Sequence, residues 1–200
     1  MSYVSHLECS ANCGATPLDP HEQHHLCSCG LPLLVRYHLD RVADIWKKST
    51  LVDRSPTMWR YKEMMPLLGD DEPVTLGEGF TPLFHAKSLG RKLGLQALYI
   101  KDESLNPTNS FKARGLSAAV TRARALKAHT LSVPSAGNAA NAMAAYAAQA
   151  GIPAKVFMPK DVKRPFIREC ELYGADVTLV DGLITDAGRL AAERGGPLGW

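Results

Sequence analysis

In the stretch NPTNSFKARG (106–115) a lysine follows Ser-Phe directly and stands three residues before a glycine. Upstream runs ALYIK, a short apolar stretch of strand character, and then the polar loop DESLNPTN. The pattern after the loop is helical, which puts Lys112 in the first turn of a helix. There it faces the positive end of the helix dipole, a setting that adds nothing to stability and favours the neutral amine. A neutral amine attacks aldehydes, so residue type and position suit Schiff-base chemistry. Asn106, Thr108, Asn109 and Ser110 surround the lysine with polar groups, and Pro107 stiffens the loop. The plain alternative is a surface lysine in an ordinary helix.

A second loop has its own logic. Ser135-Ala136-Gly137-Asn138 lies between the strand-like TLSVP and the Ala-rich NAANAMAAYAAQA. Gly137 lets a ligand approach the backbone, Ser135 and the free amides of the helix start can hold a carboxylate, and Asn138 can aim its amide at a polar atom of a cofactor. A simple N-cap turn would use the same residues. The stretch LGEGFTPLF (76–84), which contains Thr81, crowds Gly, Thr and Pro into a turn and reads as a loop entering AKSLGRKLG. Arg114 suits either an anionic substrate or an ion pair on the helix surface.

These loops need a scaffold. From residue 96 on, ALYIK, TLSVP, AKVFMP and DVTLV are each followed by a longer helical pattern, and this alternation predicts βαβ units in an open parallel sheet. The fold class is therefore α/β. We divide the chain into a Cys module (1–36), a helical and loop segment (37–95) and the α/β part (96–200). In the middle segment RVADIWKK and MWRYKEMMP read as helices, with Trp46 and Trp59 as core anchors. Cys170 reads as a buried core thiol, and His85 as a surface or capping residue. The last helix is expected to end at the GGPLGW stretch, with no strand after it, so the α/β unit reads as incomplete.

The composition excludes several classes. Of 200 residues 46% are hydrophobic and 22% charged, with 23 basic and 20 acidic residues interspersed, which gives no warrant for a nucleic-acid or membrane partner. The start, MSYVSHLECSANCG, lacks the basic and apolar regions of a signal peptide, so a cytoplasmic location is expected. Four of the five cysteines fall between Cys9 and Cys29, which does not look like a disulfide framework. Cys9, Cys13, Cys27 and Cys29 form two pairs, each followed by a glycine that lets the backbone amides turn toward the thiolates. Three and one intervening residues replace the usual two, and His21, His24 and His25 are further candidate ligands. A four-cysteine zinc ribbon and a metal-free ribbon with packed thiols both suit this pattern.

Taken together, NPTNSFKARG and VPSAGNAANAMAAYAA resemble the active-site lysine segment and the asparagine loop of fold-type II pyridoxal-phosphate enzymes. Within them the threonine synthase family is most similar: its SFKDRG, GEGxTPL and WRY segments have counterparts here in SFKARG, GEGFTPL and Met58-Trp59-Arg60-Tyr61, and some members carry a Cys-rich ribbon. The resemblance implies pyridoxal phosphate as cofactor, with Lys112 as Schiff-base lysine and acid-base shuttle. It also implies cofactor contacts from Asn138 and Ser110, and substrate contacts from Ser135, Ala136, Gly137, Thr81 and Arg114. The implied reaction converts O-phospho-L-homoserine and water to L-threonine and phosphate, on a small-molecule amino-acid substrate, and a homodimer is compatible with it. Ala113 replaces the family's Asp and Asn109 its common Gly, which also admits a threonine or serine ammonia-lyase. The glycine-rich phosphate loop that members carry later in the chain has no counterpart in residues 180–200. A non-catalytic zinc-ribbon paralogue is the reading from another class.

Overall fold

A computed structural model describes residues 2–69 and 71–199, without the side chain of Leu198; Trp200 of the GGPLGW stretch lies outside them. The chain starts with an antiparallel pair, β1 (Val4–Cys9) and β2 (Leu33–Tyr37). Helix α1 (Leu39–Ile45) and a 3-10 helix over Met58–Met64 follow, the latter capped by Thr57.

Glu63 in this segment is a buried carboxylate that accepts from Arg54 Nη1 at 2.7 Å, Arg54 Nη2 at 2.8 Å and Trp46 Nε1 at 3.0 Å. Burial alone would raise its pKa, but the bonds from Arg54, its own backbone amide and Trp46 hold it down at about 2. A group depressed in the folded state stabilises above its ordinary pKa and loses that contribution as pH falls toward the folded value. Glu63→Gln should therefore cost up to about 3 kcal/mol at neutral pH. The deficit against wild type should shrink between pH 4.5 and 2, as thermal melts across that window will show.

Two expectations are corrected in the next segment. Leu83 and Phe84, read as the end of a loop, form strand β3 with His85 (Leu83–His85), and ALYIK contributes only Tyr99–Lys101, strand β4, to the fold. These two pair with each other antiparallel and not with the parallel sheet. The reason is local: helix α2 (Lys87–Leu93) ends at Gly94 in the left-handed region, and the return from it is too short to carry a crossover, so the chain folds back beside β3. The pairing joins residues on both sides of the expected division at 95/96. Leu83, Phe84, Tyr99 and Ile100 are all exposed.

The expected parallel sheet consists of β5 (Leu131–Pro134), β6 (Ala154–Pro159) and β7 (Asp176–Val180), in that spatial order. Helix α4 (Asn138–Ala150) connects β5 to β6, α5 (Arg164–Leu172) connects β6 to β7, and α6 (Ile184–Leu198) follows β7. Successive residues of the central strand point to opposite faces. Val156 and Met158 pack with Met143, Ala144 and Cys170, whereas Phe157 packs with Ala187 and Ala191 of α6. The Cys170 thiol is buried as expected, and burial pushes its pKa up to about 12. Helix α6 runs through Gly195-Gly196-Pro197 and stops at Gly199, which adopts φ 65°; the left-handed cap, not the first glycine, ends it. No helix among the described residues is long and apolar enough to cross a membrane.

Helix α3 (Lys112–Ala125) packs along α4. Every residue from Ala140 to Ala147 is buried, and the small alanines bring the two backbones close. Helix α4 also touches the turn Pro107–Asn109, so the lysine loop and the 135–138 loop belong to directly packed elements.

Candidate functional site

Lys112 is the first residue of α3, as the pattern predicts. Its amide donates to Ser110 Oγ at 3.3 Å, and its ammonium lies 4.4 Å from the centre of the Phe111 ring. Thr108 and Asn109 just before it have φ of 57° and 53°, a left-handed pair without glycine. Asn tolerates this region better than most residues, so Asn109 can keep the conformation that the family's glycine would adopt. For threonine such a backbone is strained, and strain of this kind collects where a loop meets a ligand. The Thr108 hydroxyl is buried without a hydrogen-bond partner among the described residues. Such an orphan, next to an amine at a helix start, fits a loop whose polar groups await a ligand.

The second loop is equally well placed. Asn138 is the first residue of α4 and exposed, and Ser135 Oγ accepts from the Gly137 amide at 3.4 Å. Gly137 has an extended φ of −179°, and a Cβ there would only touch Phe166 at 3.7 Å. A small side chain would therefore meet only ordinary contact at this position. Ala136 is exposed beside it, and the Ala140 amide in the first turn of α4 donates to the Gly137 carbonyl at 2.9 Å.

Thr81 and Arg114, expected to meet substrate, are used inside the chain. Both turn to Glu103: Thr81 Oγ1 donates at 2.6 Å, Arg114 Nε at 2.6 Å and Arg114 Nη2 at 2.9 Å. The Arg114 bonds, opposed by partial burial, hold the Glu103 carboxyl down at about 2. Asn106 also donates to Glu103, and accepts from the Gly79 amide at 3.0 Å. Glu103 and Asn106 thus tie the lysine loop to the GEGFTPL loop, and Arg114 fastens the start of α3 to Glu103. Ala113 is fully buried among Val74, Val120 and Tyr146, so the residue that replaces the family's Asp serves packing.

Sequence reasoning missed Glu78, the acidic residue of Gly77-Glu78-Gly79. Its side chain is 0% exposed. Oε1 accepts from Trp59 Nε1 at 2.7 Å and Thr75 Oγ1 at 3.0 Å, with the Ser117 hydroxyl at 2.7 Å; Oε2 accepts from the Leu76 amide at 3.0 Å and from the Tyr146 hydroxyl. Burial opposes ionisation, yet the bonds from Tyr146 and Ser117 keep the carboxyl below its ordinary pKa. A charge flanked by two glycines was the signal available. Gly79 has φ 105°, and a Cβ on it would lie 2.5 Å from the Met58 amide nitrogen. We expect Gly79→Ala to lower stability by about 3 kcal/mol through strain and this clash, measurable by denaturant unfolding.

At the other end of the chain the four cysteines converge. The Cys9 and Cys29 sulfurs are 3.5 Å apart, as are those of Cys13 and Cys27, and all four lie within 4.8 Å of one another. A tetrahedral zinc site with Zn–S bonds of about 2.3 Å needs sulfurs about 3.8 Å apart, so the cluster has the required size. Gly14 and Gly30 both take φ 83°, and the amides of Ala11 and Cys13 turn toward the Cys9 sulfur and lower its pKa. This is the knuckle geometry expected of the pattern, reached despite the irregular spacing and without a histidine. A separate cavity of about 390 Å³ between this module and α3 is lined by Leu7, Leu33, Val35, Ala118 and Arg122 and includes neither Lys112 nor the 135–138 loop.

A model of the family described as "Pyridoxal-phosphate dependent enzyme" matches residues 74–197. Threonine synthase of Methanocaldococcus jannaschii is 36% identical over 182 residues, covering 90% of this chain and 45% of that protein. Threonine synthase of Methanosarcina acetivorans is 37% identical over 184 residues, 91% of this chain and 44% of that one. Among solved structures, apo diaminopropionate ammonia lyase of Escherichia coli aligns with a TM-score of 0.59 and 26% identity over 63% of this chain and 38% of its own. The chain thus spans just under half the length of the curated relatives it matches.

Proposed function

Because this chain belongs to the pyridoxal-phosphate dependent enzyme family, we propose that it acts as a lyase of the threonine synthase type, on O-phospho-L-homoserine and water to give L-threonine and phosphate. One observation carries the choice of substrate. The M. jannaschii match covers 90% of the 200 residues, leaving about 20 outside, so it reaches into the Cys module. The likeness to the ammonia lyase covers only 63%.

When bound, pyridoxal phosphate supplies an aldehyde for an amine and a ring that accepts electrons. In this reading Lys112 Nζ would be that amine, and the same nitrogen would carry a proton away from the substrate's α-carbon. Asn138, exposed at the start of α4, would hold the cofactor ring through its side-chain amide. Ser110 holds the lysine turn through the Lys112 amide. Ser135 and the amides of 136–138 take the substrate carboxylate, for which an exposed helix start is suited. Residues 1–36 form a ribbon around zinc, held by Cys9, Cys13, Cys27 and Cys29.

An absorbance scan with pyridoxal phosphate, followed by borohydride reduction and peptide mapping, tests the cofactor site. The expected result is a visible band and label on Lys112 alone; label on other lysines only would overturn the assignment. Phosphate release from O-phospho-L-homoserine, set against ammonia release from threonine and serine, then decides the substrate. Ammonia release in excess would favour the second reading, to which the structural likeness to an ammonia lyase belongs.

A further inference from the structure

A carboxylate buried without a cation in contact is an expensive feature, and an apolar residue of similar size would be cheaper to bury. Glu78 is such a group: among the described residues no lysine or arginine forms an ion pair with it, the hydrogen bonds it accepts come from neutral donors, and the Arg114 charge acts on it only from beyond contact. These donors come from four separate places in the chain. Trp59 belongs to the 58–64 turn, Thr75 and Leu76 to the approach of the Gly77-Glu78-Gly79 loop, Ser117 to α3 and Tyr146 to α4. Ser117 lies five residues beyond Lys112, and Tyr146 eight beyond Asn138. Both are fully buried, so neither bond is diluted by water.

We propose that Glu78 is a positioning residue, whose carboxylate pins α3 to α4 through Ser117 and Tyr146 and so sets where Lys112 stands relative to Asn138. The proposal rests on the reading that these two residues meet the cofactor. Helices faced with alanine slide easily, because small side chains offer shallow ridges and little to fix a register. A directional bond from each helix to one fixed carboxylate supplies what the alanines of α4 lack. The Glu78 backbone adds to the anchorage, since its carbonyl accepts from the Met58 amide at 2.8 Å.

Tyr146→Phe is the informative variant, because it removes one hydroxyl and keeps the ring that packs with Val74, Ala113 and Val120. Glu78→Gln is the second, and Leu190→Ala in α6, packed in the cluster of Phe157, Ala187 and Ala191, serves as a control for general loss of stability. Two readouts are taken: amide hydrogen exchange of the protein without cofactor, and the dissociation constant of pyridoxal phosphate from its absorbance. Tyr146→Phe should speed exchange several-fold at the starts of both α3 and α4 and weaken cofactor binding about tenfold. Leu190→Ala should do neither. Exchange that rises only in α4, or cofactor binding equal to wild type, would overturn the proposal. If wild type gives no adduct on Lys112, the reading of the cofactor site fails, and exchange alone then decides: coupled opening of both helices supports the pin, and its absence overturns it.

Discussion

Lys112→Ala should abolish the borohydride-reducible adduct with pyridoxal phosphate and reduce turnover by at least about a thousandfold, since the variant loses both the attaching amine and the proton carrier. Lys112→Arg separates those functions from charge. A guanidinium stays protonated at any working pH and cannot attach to an aldehyde, so this variant should be as inactive as the alanine one while keeping a cation near the Phe111 ring. Neither change should disturb folding, because Lys112 is partly exposed at a helix start and its side chain is no part of the buried clusters. Mass spectrometry after reduction measures the first effect and phosphate release the second. A stable adduct on Lys112→Ala would move the chemistry to another lysine.

The second large effect concerns the Cys module. Metal analysis should find one zinc per chain, and removal of the metal, or Cys27→Ser, should unfold the β1–β2 module while leaving the α/β part intact. The argument is one of scale. A two-stranded sheet is marginal by itself, and segments below about 40 residues seldom form a sufficient core. Among the described residues of the first 36, Cys9 and Cys27 are the buried hydrophobic ones, so the module has little other than its sulfurs to pack around. Structural zinc contributes on the order of 10 kcal/mol in such modules. Hydrogen exchange of residues 4–37 against 131–180, with and without a chelator, reads the difference. Equal protection in both conditions together with no bound zinc would show that packed thiols suffice.

Much of this was legible in the sequence because the signals were local. Lys112 and Asn138 each begin a helix where polar loop gives way to a 3.6-residue pattern, and β5, β6 and β7 announce themselves as apolar runs between turns. The four cysteines stand in chain order around two glycines that need a left-handed backbone. What escaped depends on partners far apart in the chain. Tyr99–Lys101 resembles the other strands in composition, and only the short return from α2 commits it to β3. Arg114 looks available to a substrate until Glu103, eleven residues earlier, is seen to hold it. Glu78 resembles a loop carboxylate, since nothing near it in sequence reveals that Ser117 and Tyr146 will enclose it.

The enclosure of Glu78 also limits how this sequence can drift. Trp59, Ser117 and Tyr146 each satisfy part of one buried charge, so losing any of them alone leaves the carboxylate short of a donor, at a cost of about 1–3 kcal/mol. Losing the carboxylate alone strands the Tyr146 hydroxyl instead, whereas Trp59 Nε1 keeps Ser117 Oγ at 2.9 Å and Ser117 keeps the Val74 carbonyl at 2.7 Å. Once all are replaced by apolar groups of matching shape, most of the penalty vanishes, which makes the substitutions strongly non-additive. Any lineage that abandons the charge has to cross a valley of less stable intermediates, and these four positions are expected to change as a set or to stay.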